Sequence, residues 1–409
     1  MPGCAGRVER VTDALPFRWR SVAVPVFAPA LLFSIGEGAI IPAIPLVADD
    51  LGATLAIAGL VAAALTVGEL LGNVPSGWLV SRIGERPTMI GAAVLSLAGL
   101  AVCVMATAPW MLGIGVLLIG LSAAAYALAR HAFLTVTVPL AYRARALSTL
   151  GGVYRGGVFI GPFIAAAVIG WAGSAQSAFW IHVVACLATI ALLLALPDPG
   201  RRTEAGAART TAGLFRTLRR RRDVLARLGA GAALVGAMRA SRQVILPLWA
   251  VNLGLDGATT ALIIGVAGGV DFALFYVSGH IMDRFGRLWS ALPSMIGLGV
   301  GHLVLAFTHD VPDAVTWFIV AAIVMSVANG IGSGILMTLG ADLADPGDPA
   351  PFLGAWRFTG GLGGASAPIV VAAVTGLGSI AVAAGVMGVL GFAGAAILAR
   401  YVPRYSPHR

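Results

Sequence analysis

Apolar runs of about twenty residues, broken by short polar turns, follow one another along the whole chain. A helix needs a run of that length to cross a hydrocarbon core about 30 Å thick at a rise of about 1.5 Å per residue. The pattern predicts twelve spans, the first six at 21–46, 54–80, 88–107, 110–136, 147–171 and 177–196. The second six fall at 228–251, 258–281, 289–308, 313–339, 352–376 and 379–399. The expected architecture is an all-α polytopic membrane protein. It comprises a tail (1–20), a six-helix half (21–196), a basic linker (197–227), a second six-helix half (228–399) and a C-terminal tail (400–409).

Two of the turns are copies of each other. Gly77-Trp78-Leu79-Val80-Ser81-Arg82-Ile83-Gly84-Glu85-Arg86 follows the second run, and Gly279-His280-Ile281-Met282-Asp283-Arg284-Phe285-Gly286-Arg287 follows the eighth. Gly77 and Gly279, Arg82 and Arg284, and Gly84 and Gly286 each stand 202 residues apart. The same spacing relates Gly152-Val153-Tyr154-Arg155 to Gly354-Ala355-Trp356-Arg357, and Pro45-Leu46 to Pro247-Leu248. The chain therefore reads as two pseudo-symmetric copies of one membrane unit.

Composition excludes the alternatives. With 58% hydrophobic and 11% charged residues and a mean hydropathy of +0.92, an ordinary soluble domain could not be given a polar surface. A net charge of +9 suggests nucleic acid, but all 27 basic residues are Arg and they gather in alternate loops. That is the positive-inside pattern, and no nucleic-acid partner is expected. It puts both termini, the turns at 81–87 and 282–288, the 137–146 loop and the linker on the cytoplasmic face of a bacterial-type inner membrane. The opposite loops carry Asp49, Asp50, Asp256, Asp310 and Asp313 and no Arg. Loop 340–351, with Asp342, Asp345 and Asp348, dissents, but acidic residues count little in this rule. Residues 214–227 of the linker can also be read as an amphipathic helix on anionic lipid. The tail at 1–20 lacks an apolar core and reads as cytoplasmic rather than as a signal peptide. Cys4, Cys103 and Cys186 are scattered, with neither disulfide nor metal-ligand spacing. The glycine string at 360–364 has no strand before it and no Lys-Ser/Thr after it, so it is no phosphate loop. No nucleophile–base set occurs. The chain is not expected to be an enzyme or to hold a metal or cofactor.

Twelve spans as six plus six, a basic linker, and the turn repeated after spans two and eight resemble the major facilitator superfamily. The first copy departs from the family pattern at Ser81, where an acid is usual, and at Glu85, where a base is usual; the second keeps Asp283. The resemblance implies that this acid helps latch the cytoplasmic ends of the halves. Gly157-x-x-x-Gly161-Pro162 in span five is similar to the helix-bending signature of the family's proton-coupled drug exporters, although Ala165-Ala166 replaces its terminal glycine pair. The exporters' usual Arg in span four is missing, with Val116 in its place. Arg130, near the cytoplasmic end of that span, is no evident substitute. The fold implied by the resemblance packs span two against span eleven and span five against span eight.

Ionisable residues inside spans are costly and default to functional candidates. The 202-residue overlay maps Glu37 onto Arg239, Glu69 onto Asp271 and Arg155 onto Arg357. With the packing implied by the resemblance, it proposes two symmetric gating pairs, Glu69–Arg357 and Arg155–Asp271, against the plainer possibility of static pairs. Arg stays charged at such depth, so a carboxylate paired with it serves as counter-ion rather than proton carrier. Glu37, in Gly36-Glu37-Gly38 ahead of Pro42, is the candidate for proton or substrate handling, with Arg239, Arg242 and Gln243 of span seven as its candidate partners. A permanent Glu37–Arg239 pair without a role in turnover is the alternative. Tyr126, Tyr154, Trp249 and Trp356 could line a substrate site, though packing is the commoner use of such rings. Trp110, Trp171, Trp180 and Trp317 sit at outer span ends and read as interface anchors. His182 and His302 read as hydrogen-bonded structural residues, and His131 as a weaker relay candidate than Glu37.

The functional expectation is a secondary transporter working by alternating access. It would act as a monomer, driven by the proton gradient, on small amphipathic compounds or drugs moving outward. A proton symporter for an organic anion, a non-transporting sensor and a lipid flippase stay open at this point. One Arg more than the acids among the mid-span groups mildly favours an anionic substrate.

Overall fold

A computed structural model of the chain describes residues 26–138, 140–196, 219, 221–344 and 350–405. The N-terminal tail, most of the linker with residues 214–218 of its 214–227 stretch, Asp345, Asp348 and the last four residues lie outside them, while 222–227 begin the helix of span seven.

Fourteen helices are present among the described residues. In the first half they are α1 (Ala28–Ile40), α2 (Ala43–Asp50), α3 (Leu55–Ile83), α4 (Glu85–Val104), α5 (Pro109–Thr137), α6 (Leu140–Ala172) and α7 (Ala178–Ala195). In the second they are α8 (Arg222–Asn252), α9 (Gly257–Phe285), α10 (Leu288–Phe307), α11 (Ala314–Ile331), α12 (Ile335–Leu343), α13 (Ala350–Leu377) and α14 (Ile380–Tyr405). By length and composition ten helices qualify as membrane spans, or eleven when the α1–α2 pair, bent by 41°, counts as one. The span missing from that tally is α8. Arg227, Arg239 and Arg242 make it too polar for the test, yet its 31 residues pack along α13 and α14 as span seven of the repeat.

Two predicted spans are interrupted. Span one breaks at Ile41-Pro42, because proline withdraws a backbone donor, and span ten breaks after Ile331, where Gly334 takes φ +83°. Span five is longer than expected, its helix beginning at Leu140.

Packing follows the repeat. The α1/α6, α3/α5, α4/α5, α4/α7 and α1/α7 contacts of the first half recur as α8/α13, α9/α11, α10/α11, α10/α14 and α8/α14 in the second. Gly84 (φ +89°) and Gly286 (φ +95°) end α3 and α9 in the backbone region open to glycine. At the opposite ends of the same helices Thr54 accepts a hydrogen bond from the Ile57 N–H (3.4 Å) and Asp256 from the Thr259 N–H (2.9 Å), again 202 residues apart. Within each half, a Cβ on Gly161 would collide with the Ile35 carbonyl and one on Gly363 with that of Ala233, so both glycines let helix backbones touch. Cys103 and Cys186 are buried, free thiols inside the first half.

The halves meet through α3/α13 and α6/α9. Their approach is close from mid-depth, where a Cβ on Gly269 would lie 2.6 Å from Phe159, to the side away from the termini. There a Cβ on Gly59 would lie 3.2 Å from Leu248, one on Gly257 3.2 Å from Ile169, and one on Gly265 3.1 Å from Phe163. Buried Ala39, Ala43, Ala165 and Ile169 of the first half and Ala261 of the second form an apolar cluster on that side. Toward the termini the approach loosens. Gly152 and Tyr276 come only to 4.0 Å, and Gly151 and Gly279 have no such neighbour within 4 Å.

Candidate functional site

Two groups of charged side chains occupy the middle of the bundle, one beside each half's core. In the second half, α9 presents Asp271 and Phe275 one turn apart, α8 presents Arg239 and Arg242, and α11 presents Ser326 and Asn329. Asp271 Oδ2 accepts from Arg242 (3.1 Å) and from the Asn329 amide (2.6 Å). Arg242 also donates to Ser326 Oγ (2.8 Å). Asp271 Oδ1 has no hydrogen bond and faces Arg155 of α6, across the seam, at 3.9 Å. The Arg155 guanidinium also lies 4.5 Å over the Phe275 ring, a cation–π contact that fixes its direction. Arg239 donates to the Gly332 carbonyl (2.6 Å), joining span seven to the break in span ten.

In the first half, α1 carries Glu37, α3 Glu69, α5 Tyr126 and Arg130, and α6 Tyr154. Glu37 is 9% exposed and Arg130 6%. Glu69 and Arg130 are the charges that act on Glu37. The Arg130 guanidinium sits 4.6 Å over the Tyr154 ring, and Tyr126 stacks on Phe33 at 4.0 Å. Tyr126 Oη and Arg130 Nε are buried without hydrogen-bond partners. Among the described residues the Glu37 carboxyl makes no hydrogen bond and no ion pair.

These placements correct several expectations. Glu37 is not partnered by Arg239 or Arg242, whose hydrogen bonds go to Gly332, Ser326 and Asp271. Both arginines are occupied within their own half, and Gln243 is exposed. Glu69 and Arg357 form no ion pair here. Arg357 is exposed. Arg155 and Asp271 do face each other, but Asp271 is bound more closely by Arg242 and Asn329. Trp249 is fully buried against His309 (5.4 Å between rings), and Trp356 donates to the Leu336 carbonyl (2.7 Å), so both pack rather than line a cavity. His182 and His302 are buried and bonded to Ser96 and Ser241, each at 3.0 Å. His131 Nδ1 is 2.6 Å from the Ala127 carbonyl. Gly157 and Gly161 lie against Ser34 and Ile35 of α1, while α6 continues unbroken through Pro162. Sequence reasoning passed over Arg130, Ser326 and Asn329. A lone Asn in an apolar span is the signal that could have found the last, since a polar group in a membrane helix needs a partner.

The sequence profile of the Major Facilitator Superfamily matches residues 26–368 and, in a second match, 228–409. The chain belongs to that superfamily. It is an integral membrane transporter rather than an enzyme. It is 28% identical to the class G tetracycline resistance protein of Vibrio anguillarum over 335 residues, 78% of this chain and 81% of that one. It is 25% identical to the probable inositol transporter 3 of Arabidopsis thaliana over 42% of this chain and 30% of that one. Among solved structures, a POT family transporter in complex with a thioalcohol-conjugated peptide superposes with a TM-score of 0.77 at 12% identity, covering 95% of this chain and 97% of that one. The D-xylose–proton symporter does so with 0.70 at 15%, covering 95% and 98%. At those identities the likeness is one of fold.

The superfamily's repeated turn is asymmetric in this member. Arg86 donates to the Leu193 and Leu196 carbonyls (2.6 Å for the latter), tying the turn to the end of α7. Arg287 instead bonds Asp342 of α12 (2.9 Å) and approaches Asp283 at 3.6 Å. Asp283 is 85% exposed, and its ion pair with Arg287 lies within the second half. Ser81 bonds the Trp78 carbonyl (2.8 Å), Arg82 lies over Trp78 at 5.1 Å and Arg284 over Phe285 at 5.4 Å. Gly77 and Gly279 sit in the last turns of α3 and α9.

Proposed function

We propose that this transporter exchanges protons for small amphipathic compounds moving outward, by alternating access in a bacterial inner membrane with both termini cytoplasmic. On that orientation the conformation described above opens inward, with its seam closed outside. The observation that carries the reading is the Glu37 carboxyl: buried, without a hydrogen bond, and flanked by one Arg and one further acid. A carboxyl so placed is free to take up and release a proton, whereas Asp271 is committed to fixed donors. Outward export is supported by the tetracycline resistance relative. Arg155–Asp271 acts in this reading as a contact between the halves, and Glu69–Arg357 as a pair made when the cytoplasmic side closes. A single chain suffices.

The excess of Arg155, Arg239 and Arg242 over Asp271 favours a second reading, symport of an organic anion. One experiment separates the two. Protein in vesicles with an interior pH dye is given candidate dyes, drugs and organic acids. For export, proton movement runs opposite to the compound and is lost in Glu37→Gln while binding is retained. Protons moving with an organic acid establish symport, and coupling that survives in Glu37→Gln removes Glu37 from the mechanism.

A further inference from the structure

A crevice of about 460 Å³ opens on the flank of the bundle between α3, α5 and α13, with no charged residue in its lining. Leu60, Ala64 and Val67 of α3, Trp110 and Gly113 of α5 and Ile369 of α13 form its walls, and every lining residue is apolar. Such a lining gives a charged substrate or water no partner. Along α3 it runs from Ile57 to Val67, about 15 Å at the helical rise, which is the hydrocarbon depth of one leaflet in a core about 30 Å thick. Trp110, 67% exposed, stands at the mouth on the side away from the termini, the level at which interfacial Trp meets headgroups. Gly113 keeps the channel open: a Cβ there would first meet Val61 at 3.8 Å. The crevice also crosses the seam, since Ile369 is supplied by the second half and the rest by the first. Closure of the far side brings these walls together, and opening it must pull α13 from α3.

We infer that this crevice holds one acyl chain of a phospholipid from the far-side leaflet, and that occupancy favours the conformation closed on that side. A ligand that bridges two bodies in one state and not in the other shifts the equilibrium toward the bridged state. The effect on conformation rests on the alternating-access reading. The binding itself does not.

The test uses full-length protein in phosphatidylcholine vesicles doped with a phospholipid carrying a diazirine midway along its acyl chain. After illumination, adducts should concentrate on 57–67 and 109–117 relative to exposed Leu187 of α7 and Val389 of α14. Gly113→Leu and Ala64→Phe, which fill the crevice from different helices, should each cut labelling there at least about fivefold, as expected for loss of a specific site. Labelling at Leu187 and Val389 should be unchanged, which also reports that the variants fold. Uniform labelling, or labelling indifferent to both variants, overturns the proposal. So does loss of labelling when an amphipathic test compound is present during illumination, which would make the crevice a substrate vestibule. For the conformational part, shortening the acyl chains should raise maleimide modification of Ala56→Cys at the far-side seam by at least about twofold, and Gly113→Leu should remove that response. An equal response in both proteins overturns it.

Discussion

Asp271 and Glu37 are the two buried acids among the described residues, and their surroundings differ more than the pseudo-symmetry of the fold suggests. Asp271 takes two donors on one oxygen, an Arg and an Asn amide, and faces a second cation with the other. Glu37 lies as deep, yet its carboxyl has no donor, and its neighbourhood holds an acid, an Arg and two Tyr rings. One scaffold thus carries an acid tied by two hydrogen bonds in one half and an untied acid in the other. A tied acid resists change because removing it strands its partners. An untied one changes protonation or partner at small structural cost. Division of labour follows from this: the second half supplies a fixed electrostatic frame and the first half the group that cycles.

The largest effect expected from this contrast is on stability. Asp271→Ala leaves Arg242 and Arg155 without a counter-ion and should cost on the order of 3 kcal/mol. Glu37→Gln removes no hydrogen bond and should change stability by less than about 0.5 kcal/mol, or raise it. Unfolding in mild detergent, followed by tryptophan fluorescence, measures both, and equal losses would break the comparison. Next in size is Arg130. Arg130→Gln should reduce substrate-evoked proton movement by about tenfold or more, as loss of a positioned charge beside a proton-transferring group does. Arg130→Lys should recover part of it, a recovery that a packing role alone would not give. A smaller effect tests the seam. In a cysteine-free background, Glu69→Cys with Arg357→Cys should cross-link slowly at rest, and several-fold faster when substrate drives the near side closed.

The smallest effect concerns the two helix caps. Thr54→Ala and Asp256→Ala should each cost about 1 kcal/mol or less. Only the second should depend on pH. Hydrogen bonds from the Thr259 hydroxyl and N–H hold the Asp256 carboxyl below the usual aspartate range. Its contribution is therefore complete above about pH 4, the unfolded-state value, and disappears as the pH falls through the lower folded value. Unfolding midpoints at pH 7 and at acid pH, compared between the two variants, show this directly.

Much of this was legible in the chain. Gly84 and Gly286 signalled their turns because the backbone there admits little else. The 202-residue spacing put α3 beside α13 and α6 beside α9 once the family was recognised. What stayed hidden has a common cause. An overlay of repeats identifies equivalent positions, and equivalence does not imply contact, so Glu37 and Arg239 match in the overlay without meeting in the fold. The Asp271 network is knit inside one half by Asn329 and Ser326 of α11, a helix with no counterpart motif to draw attention to it. Arg130 looked peripheral from its place near the end of span four, but the Tyr154 ring beneath it and the extension of α5 to Thr137 keep it inside the bundle.

Cys103 and Cys186 both lie in the first half, and the second contains no cysteine at all. With Cys4 replaced, a thiol-reactive dye becomes a reporter of only one of two structurally repeated bodies. Its signal beside tryptophan fluorescence, which samples both, would reveal whether the halves melt together or in sequence. One substitution thereby turns the chain into a probe of cooperativity between its repeats, with no cysteine to be introduced.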